Sequence, residues 1–229
     1  MPPLTIAIDG PASSGKGTVA RLVARDLGYA YIDTGAMYRA VALVALERGV
    51  PLSDGPAVAA QVSGLDFRFS WDGTALRLAL GDRDVTTAIR AEDVGRGASD
   101  VAVHPAVRAA LLDRQRALAR SGGVVMDGRD IGTVVLPDAQ IKIFLDAAPD
   151  ERARRRHREL VARGVPSDYD TVLREIIARD VQDSTRAAAP LKPAPDAHRL
   201  DSTDHTADSM AARIVRMARQ MLDEAGEPR

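Results

Sequence analysis

The stretch Leu4-Thr5-Ile6-Ala7-Ile8-Asp9-Gly10-Pro11-Ala12-Ser13-Ser14-Gly15-Lys16-Gly17-Thr18 decides the architecture. It opens on an apolar run of the length of one buried strand. It leads into Val19, Leu22, Val23 and Leu27, which recur at helical spacing. Glycines at 10, 15 and 17 let successive backbone N–H groups turn toward a single anion, with the positive end of the following helix behind them. The whole segment Gly10, Pro11, Ala12, Ser13, Ser14, Gly15, Lys16, Gly17 and Thr18 is therefore the candidate triphosphate site. Lys16 is placed to reach the β- and γ-phosphates of a nucleotide. A plain glycine-rich turn between strand and helix is the alternative, and the ordered succession of strand, loop, lysine and helix argues against it.

The choice of lysine at this position is informative. Lys and Arg together number 31, yet only Lys16, Lys142 and Lys192 are lysines. A chain with such a preference for arginine has kept a compact ammonium where a planar guanidinium would not fit inside a phosphate cradle. The next residue is Gly17, with the hydroxyl delayed to Thr18. In the common loop that hydroxyl sits on Mg²⁺. Here Mg²⁺ is expected to be held mainly by water and by the phosphates that carry it.

Composition narrows the class. The 229 residues suffice for one α/β domain with insertions. Hydrophobic residues make up 45% and charged residues 28%, values of a globular protein rather than a disordered one. A formal net charge of −1 argues against a general nucleic-acid or membrane-surface binder. The absence of cysteine excludes disulfides and thiolate metal sites. No apolar run of about 18 residues is present, and Met1-Pro2-Pro3 leads straight into the first strand without a signal-like segment. The cytoplasm is the expected location. His104, His157, His198 and His205 are scattered without ligand spacing, so no protein-held transition metal is expected.

Along the chain, a first helix is expected over 16–27, stopped by Gly28, and an extended segment over 29–32. Asp33 and Thr34 then cap a second helix from Gly35 to about Arg48, ended by Gly49 and Pro51. Between 66 and 80 the period changes. Phe67, Phe69 and Trp71 alternate, Asp72-Gly73 turns, and Leu76, Leu78 and Leu80 alternate again, so an antiparallel hairpin is inserted among helices, with a third strand at Val85-Thr86. Helices follow from about Ala91 and from Pro105 to Ala119, and buried strands at 124–126 and 141–145. An arginine-dense helix opens at Pro149, another runs from Tyr169 to Val181, a short strand lies at 199–200, and a last helix carries Met210, Ile214, Met217 and Met221. Strands alternating with helices predict a parallel, doubly wound sheet whose strand ends bind ligands.

Two charged segments fall at such strand ends: Asp33-Thr34-Gly35-Ala36-Met37-Tyr38-Arg39 and Asp127-Gly128-Arg129-Asp130. Either alone reads equally well as a structural ion pair. Beside the loop they place arginines and carboxylates around a second pocket. With Asp127-Gly128-Arg129-Asp130-Ile131-Gly132-Thr133-Val134-Val135 and Arg179-Asp180-Val181-Gln182-Asp183-Ser184-Thr185-Arg186, they make the chain resemble the bacterial cytidylate kinase family over about residues 4–222. The Gly-Lys-Gly-Thr ending is likewise closer to nucleoside monophosphate kinases than to GTPases or ATPase motors.

The resemblance implies a three-layer P-loop kinase fold, a parallel sheet flanked by helices, with a small antiparallel β insertion and a lid. It implies one domain over 1–229, with a monophosphate-binding insertion at about 34–121 and an arginine-rich lid at about 151–189. It implies transfer of the ATP γ-phosphoryl group to CMP or dCMP, with Mg²⁺ carried by ATP, by a monomer acting in pyrimidine nucleotide metabolism. Such an acceptor is already an ionised phosphate, so catalysis needs positioning and charge neutralisation rather than a general base. Arg39, Arg129 and Arg186 resemble the family's phosphate clamps, and Lys16, Arg129 and Arg186 its catalytic cations. Asp130, Arg108 and Ser99 resemble its cytosine-reading set, and Arg179 and Asp183 its pentose contacts, with Thr34 and Tyr38 lining the pocket. Arg152, Arg154, Arg155, Arg156 and Arg158 are the lid candidates, about half of them expected on a solvated face. Another acceptor, such as UMP or shikimate, and a nucleotide-dependent switch stay open as alternatives. Against the switch stand Gly17 and the lack of a guanine-reading Asn-Lys-x-Asp segment.

Overall fold

The computed structural model describes residues 3–226; Met1 and Pro2, where the N-terminal reading begins, lie outside it. Its centre is a five-stranded, all-parallel sheet. In chain order the strands are β1 (Thr5–Asp9), β2 (Ala30–Asp33), β6 (Val124–Gly128), β7 (Ile141–Asp146) and β8 (His198–Asp201), in the spatial order β2-β6-β1-β7-β8. β1 lies in the middle, with Asp9 opposite Gly128 on one side and Phe144 on the other. The loops after β1, β2, β6 and β7 therefore leave from one edge, where an open parallel sheet offers a crevice.

Alternation along β1 sets the layers. Ile6 and Ile8 face one side, where α1 (Lys16–Leu27) and α8 (Ala207–Gly226) bury Val19, Val23, Met210 and Ile214 against them. Ala7 faces the other side, with Ile32, Met126, Ile131 and Val135. A separate apolar core lies in 34–121 and joins α2 (Thr34–Glu47), α3 (Gly55–Ser63), α4 (Glu92–Ala102) and α5 (Pro105–Ala119). α2 is apolar almost all round, as a helix at the centre of such a core must be. No helix among the described residues is long and apolar enough to cross a membrane.

The hairpin β3 (Phe67–Trp71) and β4 (Leu76–Leu80) is as expected, and its apolar face serves both cores. Phe67 and Phe69 lie on the helical core, whereas Trp71 and Leu76 reach the central one, Trp71 meeting Tyr31 of β2 edge to face at 5.6 Å. The third strand, β5, is Arg83–Asp84 rather than Val85–Thr86. Val85 drops into the core, and the Thr86 hydroxyl, rather than its backbone, takes the Leu78 N–H at 2.9 Å, which ends the ladder. α3 has no counterpart in the expected elements, although Asp54 caps it by accepting the Ala57 N–H at 3.0 Å. The arginine-dense helix α6 (Pro149–Ala162) lies against α7 (Tyr169–Thr185). α7 runs one turn past the expected end at Val181. That last turn is polar, so apolar periodicity gives out there, and it is held by buried Asp183 instead.

Candidate active site

The phosphate loop has the geometry its composition implies. A Cβ on Gly10 would fall 2.0 Å from the Leu145 carbonyl oxygen, a contact no side chain tolerates. Ser13 sits in the left-handed region at φ 59, a strained conformation of the kind that persists where its surroundings impose it. Lys16, the first residue of α1, folds back to donate from Nζ to the Pro11 carbonyl at 3.1 Å. Ser14 is fully buried, yet its hydroxyl has no hydrogen-bond partner among the described residues.

The loop is gripped from outside. Arg152, 3% exposed, donates from Nη1 to the Ala12 carbonyl at 3.2 Å, from Nε to the Ala147 carbonyl at 2.9 Å, and pairs with Asp180 of α7. Arg155 donates to the Ser14 carbonyl at 3.3 Å and to the Ser202 carbonyl at 2.6 Å, while the Ser202 hydroxyl also meets Ser14 at 3.0 Å. Arg156 bonds Glu92 of α4 at 2.7 Å, linking α6 to the helical insertion. Arg154 and Arg158 are exposed and lie beside Glu151. The five lid candidates thus have three situations: two on the phosphate loop, one across the cleft and two on a solvated face.

The second pocket gathers residues from four elements. Tyr38 and Arg39 come from α2, Arg108 from α5, Arg129 and Asp130 from the turn after β6, and Arg179, Asp183 and Arg186 from α7 and its end. Arg108 and Asp130, both nearly inaccessible, form a close hydrogen-bonded ion pair. The Arg108 guanidinium stands 5.5 Å over the Tyr38 ring. Asp183 is the hub of the other half. It accepts from Arg129 Nε at 2.8 Å and lies 3.8 Å from Arg186 and 4.0 Å from Arg179. Asp130 also faces Arg186, at 3.6 Å.

Cations outnumber what the carboxylates satisfy. Among the described residues, the buried atoms Arg179 Nε and Arg186 Nη2 make no hydrogen bond in the protein. Burial, with Arg129 and Arg39 nearby, brings Arg179 down to about 10, and burial with Arg108 adjacent lowers Arg186 as well. The buried Arg186 guanidinium and the partly exposed Arg179, each with one inaccessible nitrogen left unbonded and each beside another cation, suit an anion. Lys16 belongs to the same field: burial beside Arg129 and Arg179 lowers it to about 7. The fields of the two pockets therefore overlap at Lys16 and Arg129.

Other expected residues lie nearby with different partners. The Thr34 hydroxyl donates to the Asp127 carbonyl at 2.8 Å, locking β2 to β6. A Cβ on Gly128 would fall 2.6 Å from that hydroxyl. Ser99 on α4 is half-buried, and its carbonyl accepts from Gln182 of α7 at 3.4 Å. Sequence reasoning placed Asp127 in a charged segment but gave it no role of its own. It is buried at the end of β6, accepts from the Tyr31 hydroxyl at 3.1 Å, and lies 3.5 Å from where a Cβ on Gly17 would be. Burial and the nearby Asp33 push its carboxyl up to about 7. Its position at the end of an apolar strand was the available signal. Asp180, Glu92 and Ser202 were unreadable, because each matters only through a partner far away in the chain.

The chain's relatives give its family. A family model described as cytidylate kinase matches residues 6–220. The chain is 50% identical over 218 residues to a cytidylate kinase of Exiguobacterium sp. (strain ATCC BAA-1283 / AT1b), covering 95% of this chain and 97% of the relative. It is 53% identical over 212 residues to a cytidylate kinase of Pelotomaculum thermopropionicum, covering 92% and 93%. With a cytidylate kinase of Geobacillus sp. (strain WCH70) it shares 48% over 219 residues, covering 96% and 98%.

Proposed function

The chain belongs to the cytidylate kinase family, and on that premise we propose how its residues phosphorylate CMP, and dCMP with it, at the expense of ATP. It is a phosphotransferase whose acceptor is itself a phosphate. The observation that carries the assignment of the site is the arginine-carboxylate pocket with unpartnered guanidinium N–H groups, within electrostatic reach of Lys16.

The donor triphosphate lies in the loop of 10–18, where backbone amides and Lys16 meet its β- and γ-oxygens. The α-phosphate of CMP lies among Arg39, Arg129, Arg179 and Arg186, which supply the missing anion's partners. Its oxygen attacks the γ-phosphorus in line, and the bond from that phosphorus to the β–γ bridging oxygen breaks, leaving ADP. Lys16 and Arg129, between the two pockets, hold the charge on the group in flight. Asp130 accepts from the cytosine amino group, while Arg108, fixed by Asp130 and Tyr38, donates to the ring acceptors. Ser99 completes the base contact, and Arg179 with Asp183 faces the pentose. Thr34 and Tyr38 line the wall.

The donor set suits a divalent ion arriving with ATP. Two carboxylates, Asp33 and Asp127, stand close enough beside Lys16 and the loop for one to raise the other's affinity for protons, a repulsion that a cation relieves. With Gly17 in place of a hydroxyl, Asp33 and Asp127 are the residues that would help hold Mg²⁺ as it arrives with the phosphates. When bound, Mg²⁺ neutralises phosphate charge. The separate core of 34–121 supports reading that segment as the acceptor-binding insertion, and the α6–α7 pair supports a lid over about 151–189. The working unit of this proposal is the monomer.

A coupled assay with ATP and a panel of CMP, dCMP, UMP and shikimate tests the proposal. CMP is expected to be the best acceptor, with dCMP close to it. Preference for UMP or for a non-nucleotide acceptor would overturn the assignment of Asp130 and Arg108 to the base.

A further inference from the structure

Asp9 ends β1, one residue before the phosphate loop, and is 4% exposed. Its carboxylate nevertheless serves the other pocket. Oδ1 accepts the N–H of Ile131 at 2.7 Å and Oδ2 that of Gly132 at 2.8 Å. Those two amides open the π turn Ile131–Val135, and the first N–H groups of any such turn lack partners within it. The turn begins at Asp130, whose carbonyl accepts from Val134 at 2.9 Å and from Val135 at 3.2 Å.

An aspartate at that position ordinarily bends its own carboxylate back onto the leading amides. Asp130 makes no such bond. Its carboxylate turns away and pairs with Arg108 and Arg186 instead. We infer that Asp9 is a positioning residue for base selection: by capping this turn from the neighbouring strand, it releases the Asp130 carboxylate to face the acceptor pocket. The inference rests on the proposed reading of cytosine by Asp130.

Other features of the surroundings agree. Burial pushes Asp9 up to about 6, against the pull of its two amides, so the carboxylate is ionised at neutral pH and both oxygens accept. The Lys142 stem walls the same spot, its Cγ and Cδ 3.3 Å from where a Cβ on Gly132 would be, while its ammonium is engaged by Asp196 at 2.7 Å. Asp9 is thus the acceptor both amides have.

The test is steady-state kinetics with CMP and UMP on the full-length wild type, Asp9→Asn and Gly132→Ala, with melting temperatures alongside. In Asp9→Asn an amide N–H₂ faces a backbone N–H, and Asp130 is drawn back to cap its own turn. KM for CMP is expected to rise about tenfold, and the CMP:UMP ratio of kcat/KM to fall about tenfold, the scale of one lost hydrogen bond to a charged group. KM for ATP should stay within about twofold, since the loop's own bonds are untouched. In an Asp130→Ala background, Asp9→Asn should no longer move the ratio. An unchanged ratio in folded Asp9→Asn, or an equal shift in the Asp130→Ala background, overturns the inference. Gly132→Ala crowds the Lys142 stem, its Cβ 3.3 Å from Cγ and Cδ and in ordinary contact with Asp9 Oδ2 at 3.5 Å, so it pushes the Gly132 amide that Asp9 caps and keeps the question open to test if Asp9→Asn does not fold. It should lower the ratio about two- to threefold, a fraction of one such bond, and no change would count against Asp9. A wild type without preference for CMP would instead overturn the functional reading itself.

Discussion

Replacing Arg152 by Ala separates a structural strut from a catalytic arm. The guanidinium is buried and spends its donors on the Ala147 carbonyl at 2.9 Å, the Ala12 carbonyl at 3.2 Å and both oxygens of Asp180 at 3.0 and 2.5 Å. Asp180, whose side chain is 27% exposed, can rehydrate once its partner is gone. The two carbonyls are less free to do so, and each buried acceptor left unpaired costs about 1–3 kcal/mol. Together with the lost stem packing, the expected destabilisation is about 3–4 kcal/mol, at the low end for breaking a buried pair. For a chain of this size that corresponds to a fall in Tm of roughly 6–15 °C. Releasing the Ala12 carbonyl loosens the phosphate loop, so KM for ATP should rise about five- to tenfold while KM for CMP holds. Calorimetric melting and initial rates with each substrate varied provide both readouts. A Tm within about 2 °C of wild type, together with a hundredfold loss of kcat, would refute this reasoning and put Arg152 on the transferring phosphate.

Lys16→Met should lower kcat by several orders of magnitude with little change in Tm, since it removes a charge from the transferring group and nothing from the core. Because free Lys16 is lowered to about 7, most of it is uncharged at pH 8, and a bound phosphate raises its affinity for a proton. Titration with Mg²⁺-free ATP at pH 8, in buffers of different ionisation enthalpy, should therefore show proton uptake that Lys16→Met reduces, the remainder falling to Asp127; net release would refute the reasoning. Asp130→Asn should reduce kcat/KM for CMP by about 1–3 kcal/mol of transition-state stabilisation and reduce that for UMP much less, because the amide offers uracil a donor. Equal losses on both would assign Asp130 to holding Arg108 and Arg186 alone. Asp183→Ala should lower Tm, because Arg129, Arg179 and Arg186 all lean on this one carboxylate, and should change the ratio of kcat/KM between CMP and dCMP; equal losses on both would remove Asp183 from the pentose.

Where a function is written into consecutive residues, the sequence is legible. The loop of 10–18 declares itself because its glycines answer local backbone demands, such as Gly10 against the Leu145 carbonyl, and because strand and helix flank it directly. The boundaries of α1 and α5 follow for the same reason, from Gly28 with its left-handed backbone and from Pro105 in the first turn. The hairpin was readable from its period of two. α3 was not, since it is short and only Val58 and Val62 mark its buried side. The last turn of α7 was missed because its signal is electrostatic: Asp183 is buried only on account of arginines that arrive from other elements.

The arginine-rich run shows the limit most clearly. In sequence, Arg152, Arg154, Arg155, Arg156 and Arg158 are equivalent basic residues on one helix. In space, helical geometry sends 152, 155 and 156 inward and leaves 154 and 158 outside. The inward three do not carry the same duty, for each is matched to a different acceptor, Asp180, the Ser202 carbonyl or Glu92. What distinguishes a strut from a substrate clamp is whether the protein itself satisfies the guanidinium. Arg152 and Arg155 spend their donors on the fold. Arg179 and Arg186 keep N–H groups that take no hydrogen-bond acceptor among the described residues. An arginine that is buried, charged and still short of a partner is costly unless a ligand completes it. In the proposed site, the stability given up in leaving those groups unpaired is the free energy on which binding of the acceptor phosphate would draw.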